Sequence, residues 1–374
     1  MLGLYIHIPF CAAICNYCNF NRGLFDADVK RRYVDALVAD IARAGVRDKE
    51  AADTIYFGGG TPSLLSADDV TRIIEACRRA FIITPDVEIT LEANPETVGV
   101  PLLAAFRAAG VNRLSLGVQS LRDDELVRLS RLHGAARARA AVGEARAAGF
   151  DNLSVDLMMW LPEQSPAKWL ESVDGAIALQ PDHVSLYLLE VYPNAPLRDE
   201  MARAKWSQAP DEDAESMYLS AMERLERAGL EQYEISNVAR PGCESRHNVK
   251  YWSDGEWVGF GCGAHSTRAG VRWKNVSSAE EYVSRVDAGE SVGIDARTLS
   301  AEEQLGDALF TGLRLTAGLD LGTINRRYQT DVWARYGAEL EPFVLEGLLV
   351  HEPECLRLTR RGMLLAHEVM TVFV

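Results

Sequence analysis

The chain has 374 residues, enough for about two domains at roughly 150 residues each, and each could bury a core without disulfides or structural metals. Apolar residues make up 48% and charged residues 25%, an ordinary balance for a folded protein. Acidic residues outnumber basic ones by 54 to 39, and the formal charge of −15 argues against a chain whose main task is to coat nucleic acid or an anionic membrane.

No run approaches the roughly 18 apolar residues of a membrane span. Met1–His7 shows no basic segment followed by an apolar one, so no secretion signal is expected. The predicted location is cytoplasmic, with membrane contact at most peripheral.

In chain order, the first half alternates short apolar strands with amphipathic helices. Strands are predicted at Leu4–Ile8, Thr54–Phe57, Val87–Leu91, Arg113–Gly117, Leu153–Met158 and His183–Tyr187. Helices are predicted at Val29–Ala44, Val70–Phe81, Pro101–Ala109, Ala135–Ala148 and Ala167–Leu179, with Gly110, Gly149 and Pro181 as punctuation. This rhythm defines an α/β fold of parallel βαβ units, either an open sheet or a partial barrel. The residues of chemical interest fall at or just after strand ends, the edge where such folds gather their sites.

From about residue 190 the pattern changes. A helix at Asp211–Ala228 leads to Gln232–Ser236 and then to a Gly- and aromatic-rich stretch, Gly242–Trp273. Three helical segments follow (Glu302–Leu315, Leu321–Tyr328 and Val332–Leu348), and a hairpin straddles Glu352-Pro353-Glu354, the outline of a small winged-helix-like domain. Glu302, Glu303, Asp307, Glu339 and Glu341 make it acidic, which favours a packing or docking role over nucleic-acid binding. The expected units are residues 1–200, 201–294 and 295–374.

Seven cysteines are present; Cys77, Cys243, Cys262 and Cys355 are scattered, whereas Cys11, Cys15 and Cys18 share one loop. Their spacing also fits one face of a helix, but Pro9 and Asn16-Tyr17-Cys18-Asn19 are poor material for a buried stripe. A structural zinc site would want a fourth ligand close by, and none is. Three thiolates suit an iron–sulfur cluster with one iron left open.

Cys-x3-Cys-x2-Cys after the first strand resembles the signature of the radical S-adenosylmethionine (SAM) family. The resemblance implies a [4Fe–4S] cluster on Cys11, Cys15 and Cys18, whose open iron binds SAM. Gly58-Gly59-Gly60-Thr61-Pro62 is similar to the family's GGGTP turn. With Tyr5-Ile6-His7-Ile8-Pro9-Phe10-Cys11, Leu114–Ser120 and Asp156 before Leu161-Pro162, nearly the whole chain resembles the branch of oxygen-independent coproporphyrinogen III oxidases and their heme-chaperone relatives. That branch implies a partial (β/α)6 barrel. It also implies that Tyr5, Tyr17, Gly59, Gly60, Thr61, Glu92, Gln119, Arg131 and Asp156 line the SAM site or sites.

Within the branch, the oxidase motif has a fourth cysteine where this chain has Phe20, and the chain begins only a few residues before its first strand. Both features count against decarboxylase activity. Arg246-His247-Asn248-Val249-Lys250-Tyr251-Trp252 is similar to the HNxxYW motif of the heme chaperones. The resemblance implies heme bound through His247, with Tyr251 and Trp252 as flat apolar surface and Arg240, Arg246 and Lys250 for the propionates. Cys262 and His265 stand as alternative ligands or structural residues.

One departure concerns Leu157-Met158-Met159-Trp160-Leu161-Pro162-Glu163, where Trp160 and Glu163 replace the family's usual glycines. The expected function is a heme chaperone delivering to respiratory hemoproteins. The second reading is a radical SAM enzyme acting on a porphyrin by decarboxylation, methyl transfer or heme degradation. A nucleic-acid role is not expected.

Overall fold

The computed structural model describes residues 1–45 and 49–374. Six parallel strands form the frame: β1 (Leu2–Ile8), β2 (Ala51–Gly59), β3 (Ile82–Ala93), β4 (Arg113–Gln119), β5 (Leu153–Met159) and β6 (His183–Leu188). Helices α1 (Ala27–Ala44), α2 (Ala67–Ala80), α3 (Val100–Ala109), α4 (Ala135–Ala147) and α5 (Pro166–Ala178) alternate with them, giving the partial (β/α)6 barrel.

The strands form because their two faces meet different environments. Leu4, Ile6 and Ile8, Ile55 and Phe57, Leu114 and Leu116, and Val155 and Leu157 are buried in one apolar core with residues of the outer helices. The alternate residues are polar and point into the barrel: Tyr5 and His7; Thr54 and Tyr56; Glu88, Thr90 and Glu92; Arg113 and Ser115; Ser154 and Asp156; His183 and Ser185. The barrel therefore has a polar lumen.

Helix starts are set by local chemistry. Asp26 caps α1 by accepting from the Asp28 and Val29 amides, and Ser66 with Asp69 forms a capping box on α2. That box starts α2 three residues ahead of the apolar periodicity. The Lys30–Asp69 pair, 2.6 Å apart, then ties α1 to α2.

After β6 the chain forms α6 (Pro196–Ala204) and α7 (Asp211–Arg227), then β7 (Glu231–Glu234) and β8 (Asn237–Ala239), which extend the sheet antiparallel beyond β6. Helix α8 (Arg246–Trp252) carries the HNxxYW residues. It is followed by β9 (Trp257–Phe260), a seventh parallel strand, which lies beside β1. In sequence this stretch reads only as Gly- and aromatic-rich. β10 (His265–Arg268), β11 (Val271–Asn275), α9 (Ala279–Ala288) and β12 (Gly293–Thr298) complete a twelve-stranded sheet in the order β12-β11-β10-β9-β1-β2-β3-β4-β5-β6-β8-β7.

The C-terminal domain has α10 (Ala301–Gly312), α11 (Leu321–Tyr328) and α12 (Val332–Leu345), and a small sheet of β13 (Leu319–Asp320), β14 (Leu349–Glu352) and β15 (Cys355–Leu358). Three helices against a β14–β15 hairpin make the winged-helix-like outline, around a separate core that includes Leu309, Leu313, Leu340 and Leu356. No helix among the described residues is long and apolar enough to cross a membrane.

Candidate functional site

The loop after β1 carries the three thiols and is fixed at several points. Phe10–Cys11 pairs with Gly23–Leu24. The Gly60 and Thr61 amides donate to the Ile8 and Phe10 carbonyls at 2.8 and 2.7 Å, docking the GGGTP turn on the loop's base. Gly59 has φ +113°, and a Cβ there would sit 2.5 Å from the His7 ring; a Cβ at Gly60 would lie 2.7 Å from the Phe10 carbonyl. Only glycine allows this approach.

At the loop's far end, Asn16 donates to the Arg128 carbonyl at 2.8 Å and to Glu200 at 2.6 Å, and its own carbonyl accepts from the Leu197 amide. The segment around α6 thus braces the thiol loop from outside. Tyr17 packs against Leu129, Met158 and Leu161 beneath that brace, and burial holds its hydroxyl protonated.

Cys11 is buried, Cys15 and Cys18 are half-buried, and all three are free thiols. Thr61 Oγ1 donates to Cys11 Sγ at 3.6 Å and Arg131 Nη1 to Cys15 Sγ at 3.5 Å. Burial pushes the Cys11 and Cys18 thiols up, so holding them as thiolates calls for a cationic group among them. Three soft donors on one loop, with no fourth beside them in sequence, suit an iron–sulfur cluster that keeps one iron open. Arg131 reinforces the fit: Nη2 is held by Asn94 Oδ1 at 2.7 Å and the Gly117 carbonyl at 2.9 Å, whereas Nε has no partner.

The thiols overhang a cavity of about 380 Å³ at the C-terminal end of the strands. Cys11, Cys15, Tyr17, Cys18, Gly59, Gly60, Thr61, Glu92, Gln119, Arg131 and Asp156 all line it. Glu92 accepts from the Tyr56 hydroxyl at 2.7 Å and from the Gly59 amide at 3.2 Å. Burial, aided by the charge of Asp156, raises its pKa to about 7 despite those donors. Asp156 accepts from Ser115 at 3.1 Å and is also shifted upward by burial. Gln119 ends β4 with φ +66°, beyond a register shift that turns it toward the cavity. At the mouth stand exposed apolar side chains: Ile14, Phe20, Leu188 and Tyr192, with Phe20 65% exposed.

Two expected site residues lie elsewhere. Tyr5 is deeper in the lumen, its hydroxyl 3.1 Å from His7 Nδ1, and is not among the cavity's lining residues. His247 sits in the lumen on α8 and is 1% exposed. Its Nδ1 is 2.8 Å from Thr54 Oγ1 and its Nε2 is 2.8 Å from the Tyr251 hydroxyl, so both ring nitrogens are engaged. Burial lowers its pKa to about 3 and keeps it neutral.

Two of the three groups expected to meet propionates, Lys250 and Arg246, are also engaged. Lys250 pairs with Asp53 at 2.9 Å and Arg246 with Asp86 at 3.3 Å. Tyr251 packs edge-on against Trp257, and Trp252 lies under Arg314. Cys262 is fully buried, its Sγ accepting from Tyr33, while His265 is exposed on β10. An aromatic helix with one histidine reads the same in sequence whether it faces a ligand or a lumen.

Trp160 and Glu163 both have positive φ, +63° and +60°, the conformation that glycine adopts without strain. The side chains are bonded to the segment after α6: Trp160 Nε1 donates to the Ala209 carbonyl at 2.7 Å, and Glu163 accepts from the Ser207 amide at 2.9 Å.

A parallel partial barrel with three thiols over its C-terminal rim and a glycine turn against them defines a radical SAM protein. Residues 5–175 match the family model described as Radical SAM superfamily, and residues 299–365 match the HemN C-terminal domain. The chain is 35% identical to the Heme chaperone HemW of Bacillus subtilis, covering 100% of this chain and 99% of that protein. It is 38% identical to the Heme chaperone HemW of Mycobacterium tuberculosis (strain H37Rv), over 98% and 93% of the two chains. It is 36% identical to the Bos taurus protein named Radical S-adenosyl methionine domain-containing protein 1, mitochondrial, over 96% and 84%. Among solved structures, Escherichia coli coproporphyrinogen III oxidase (HemN) shares the fold, with a TM-score of 0.87 at 24% identity over 100% of this chain and 89% of that one. The chain belongs to the HemW family of radical SAM proteins.

Proposed function

We propose that this protein is a heme chaperone: it holds a [4Fe–4S] cluster on Cys11, Cys15 and Cys18, takes SAM in the cavity beneath, and carries heme to respiratory hemoproteins in the cytoplasm. Full-length kinship with proteins named heme chaperone carries the reading over its alternatives. When bound, the cluster supplies an open iron for the amino and carboxylate groups of SAM. Arg131 offers a guanidinium for the carboxylate, and Glu92 and Asp156 offer acceptors for hydroxyls or the amine. Gly59 and Gly60 let the ligand approach the backbone, and Tyr17 with the α6 segment closes the side.

His247 serves as the heme ligand in this reading once α8 releases it from Thr54 and Tyr251. The apolar mouth, with Phe20 in place of a cysteine, offers a second surface for a flat macrocycle. An anaerobic heme titration of the cluster-reconstituted protein, read by absorbance, tests the proposal. Saturable binding weakened at least tenfold in His247→Ala supports ligation by that residue. Binding weakened instead by Phe20→Glu moves the heme to the mouth, and no saturable binding refutes the chaperone reading.

The second reading, an enzyme acting on a porphyrin, draws on the thiols and carboxylates gathered around one cavity. It predicts 5′-deoxyadenosine and methionine, or S-adenosylhomocysteine, formed in step with an altered porphyrin.

A further inference from the structure

Arg113, on β4, is one of the largest side chains fully enclosed by the fold, only 2% exposed. It forms no ion pair among the described residues, and its Nε has no hydrogen-bond partner. Thr90, directly across on β3, is fully buried and its Oγ1 is also unpartnered. Enclosing a guanidinium is costly unless its charge is answered, and with no carboxylate at ion-pair distance among the described residues it is answered at longer range.

Arg113 is an inward-facing residue of β4, in register with Thr90 on β3, and is almost fully enclosed, so its guanidinium lies inside the lumen. Its charge bears on groups of several strands, among them Glu92 on β3, Asp156 on β5 and His183 on β6. Glu92 pairs in register with Ser115, the next inward residue after Arg113, so the carboxylates stand one layer above the guanidinium. Glu92 and Asp156 line the cavity, so a ligand or water meets them from above while Arg113 stays enclosed below.

We propose that Arg113 is a positioning residue: the counter-charge in the lumen that draws the buried Glu92–Asp156 pair toward its ionised form and so sets the pH above which the cavity accepts a cationic, hydroxyl-bearing nucleoside. The inference rests on reading the cavity as a SAM site, since SAM carries a sulfonium charge and ribose hydroxyls.

Other lumen groups do not supply this charge. His183 and His247 are held neutral by burial, and Tyr5, Tyr56, Tyr233 and Tyr251 are held protonated by it. Glu88 is taken up by the Arg246 and His247 amides, each at 3.0 Å. Lys250 and Arg246 pair with Asp53 at the barrel's other end, and Arg131 is committed to the thiol side. A guanidinium stays charged across the accessible pH range, so its effect is a fixed bias on the two carboxylates.

Two measurements on Arg113→Gln and Arg113→Lys test this. The first follows the Glu92 carboxyl by carbon NMR of the full-length, cluster-free protein labelled at glutamate, the signal being assigned by its loss in Glu92→Gln. The second measures SAM affinity of the cluster-reconstituted protein by equilibrium dialysis from about pH 6 to about pH 9, the range around the Glu92 transition. Arg113→Gln is expected to raise the Glu92 midpoint by about one unit, lower SAM affinity about fivefold near pH 7 and recover it near pH 9. Arg113→Lys keeps the charge and should leave the midpoint in place.

An unmoved midpoint in Arg113→Gln, or affinity lost equally at every pH, overturns the proposal. Should Arg113→Gln fail to fold, Arg113→Met takes its place beside Arg113→Lys: a midpoint raised in the methionine variant and unmoved in the lysine one supports the charge role, and a midpoint unmoved in both or moved in both overturns it. If the wild type binds no SAM at any pH, the SAM reading fails, while the carboxyl titration still tests Arg113.

Discussion

Glu92 lies under two opposing demands. A carboxylate at the cavity floor accepts from hydroxyls and attracts a cation most strongly when ionised, yet burial and Asp156 raise its pKa to about 7. The unfolded chain releases that proton near the ordinary value of 4.5, whereas the folded chain holds it to about 7. Between those values the folded state binds more protons, so this residue's contribution to stability falls as pH rises. Glu92→Gln keeps an acceptor for Tyr56 and Gly59 and removes the charge. It should raise stability by about 2 kcal/mol near pH 8, leave it little changed near pH 4, and weaken SAM binding at least tenfold. Denaturant melts at the two pH values check the first effect and equilibrium dialysis the second. A variant no more stable at high pH would show that the floor ionises without penalty.

The residue scale also shows what the turn after β5 costs. Trp160 and Glu163 occupy left-handed backbone, at roughly 1 kcal/mol each for a non-glycine residue, and their side chains recover part of it by bonding the 207–209 segment. Glu163→Gly therefore sets relief of strain against loss of an exposed hydrogen bond, and should change stability by less than about 1 kcal/mol. Glu163→Val adds a β-branched side chain at the same positive φ and should cost about 2 kcal/mol or more. Thermal melts of the two variants check the difference. A valine variant as stable as the glycine one would mean that the backbone there is not held left-handed.

At the scale of elements, α8 makes the lumen a closed compartment at its lower end. Its first amides, from Arg246 and His247, donate to Glu88, and its histidine bridges Thr54 and Tyr251. His247 is held to about 3 against an ordinary 6.5, so on acidification the unfolded chain takes up a proton that the folded chain refuses. Stability is accordingly lost as pH falls below about 6.5, by up to ~1.4 kcal/mol per pH unit for this residue, with His183 acting in the same direction. Urea melts between about pH 5 and about pH 6 should show that slope, and His247→Gln should reduce it by about one proton. A slope unchanged in the variant would mean that α8 already leaves the lumen in the native state.

This helix also marks the limit of what the sequence alone makes legible. The thiol loop, the glycine turn and the strand–helix rhythm are local patterns, readable residue by residue, although the SAM-site assignments come from resemblance. The place of α8 and of β9 beside β1 is a non-local choice, and His247 among aromatics carries no sign of which partner it faces. A usable signal is present in the strands, where Arg113, Ser115, Ser154 and Asp156 alternate with apolar neighbours. Period-two polarity in strands of a parallel barrel points to a polar interior, and with it to an enclosed arginine.

At the scale of the molecule, barrel and C-terminal domain meet at one buried charge. Glu234, at the end of β7, is 0% exposed; it accepts from Arg314 at 2.9 Å and from the Ser236 amide at 2.9 Å. Arg314 follows α10, stacks over Trp252 at 4.3 Å, and offers its carbonyl to the Ile235 amide. One arginine thus ties together the sheet extension, the HNxxYW helix and the C-terminal domain. Arg314→Met removes the positive partner and leaves a buried carboxylate, which should cost about 3 kcal/mol. Arg314→Met with Glu234→Gln removes both charges and should recover a substantial part of that loss, because the penalty is the stranded charge and not the lost pair. Chemical denaturation of the four proteins of this cycle measures the coupling. A double variant no better than Arg314→Met would assign the junction to packing on Trp252. In that case the C-terminal domain would be held to the barrel by apolar contact and backbone pairing, with Glu234 as a passenger.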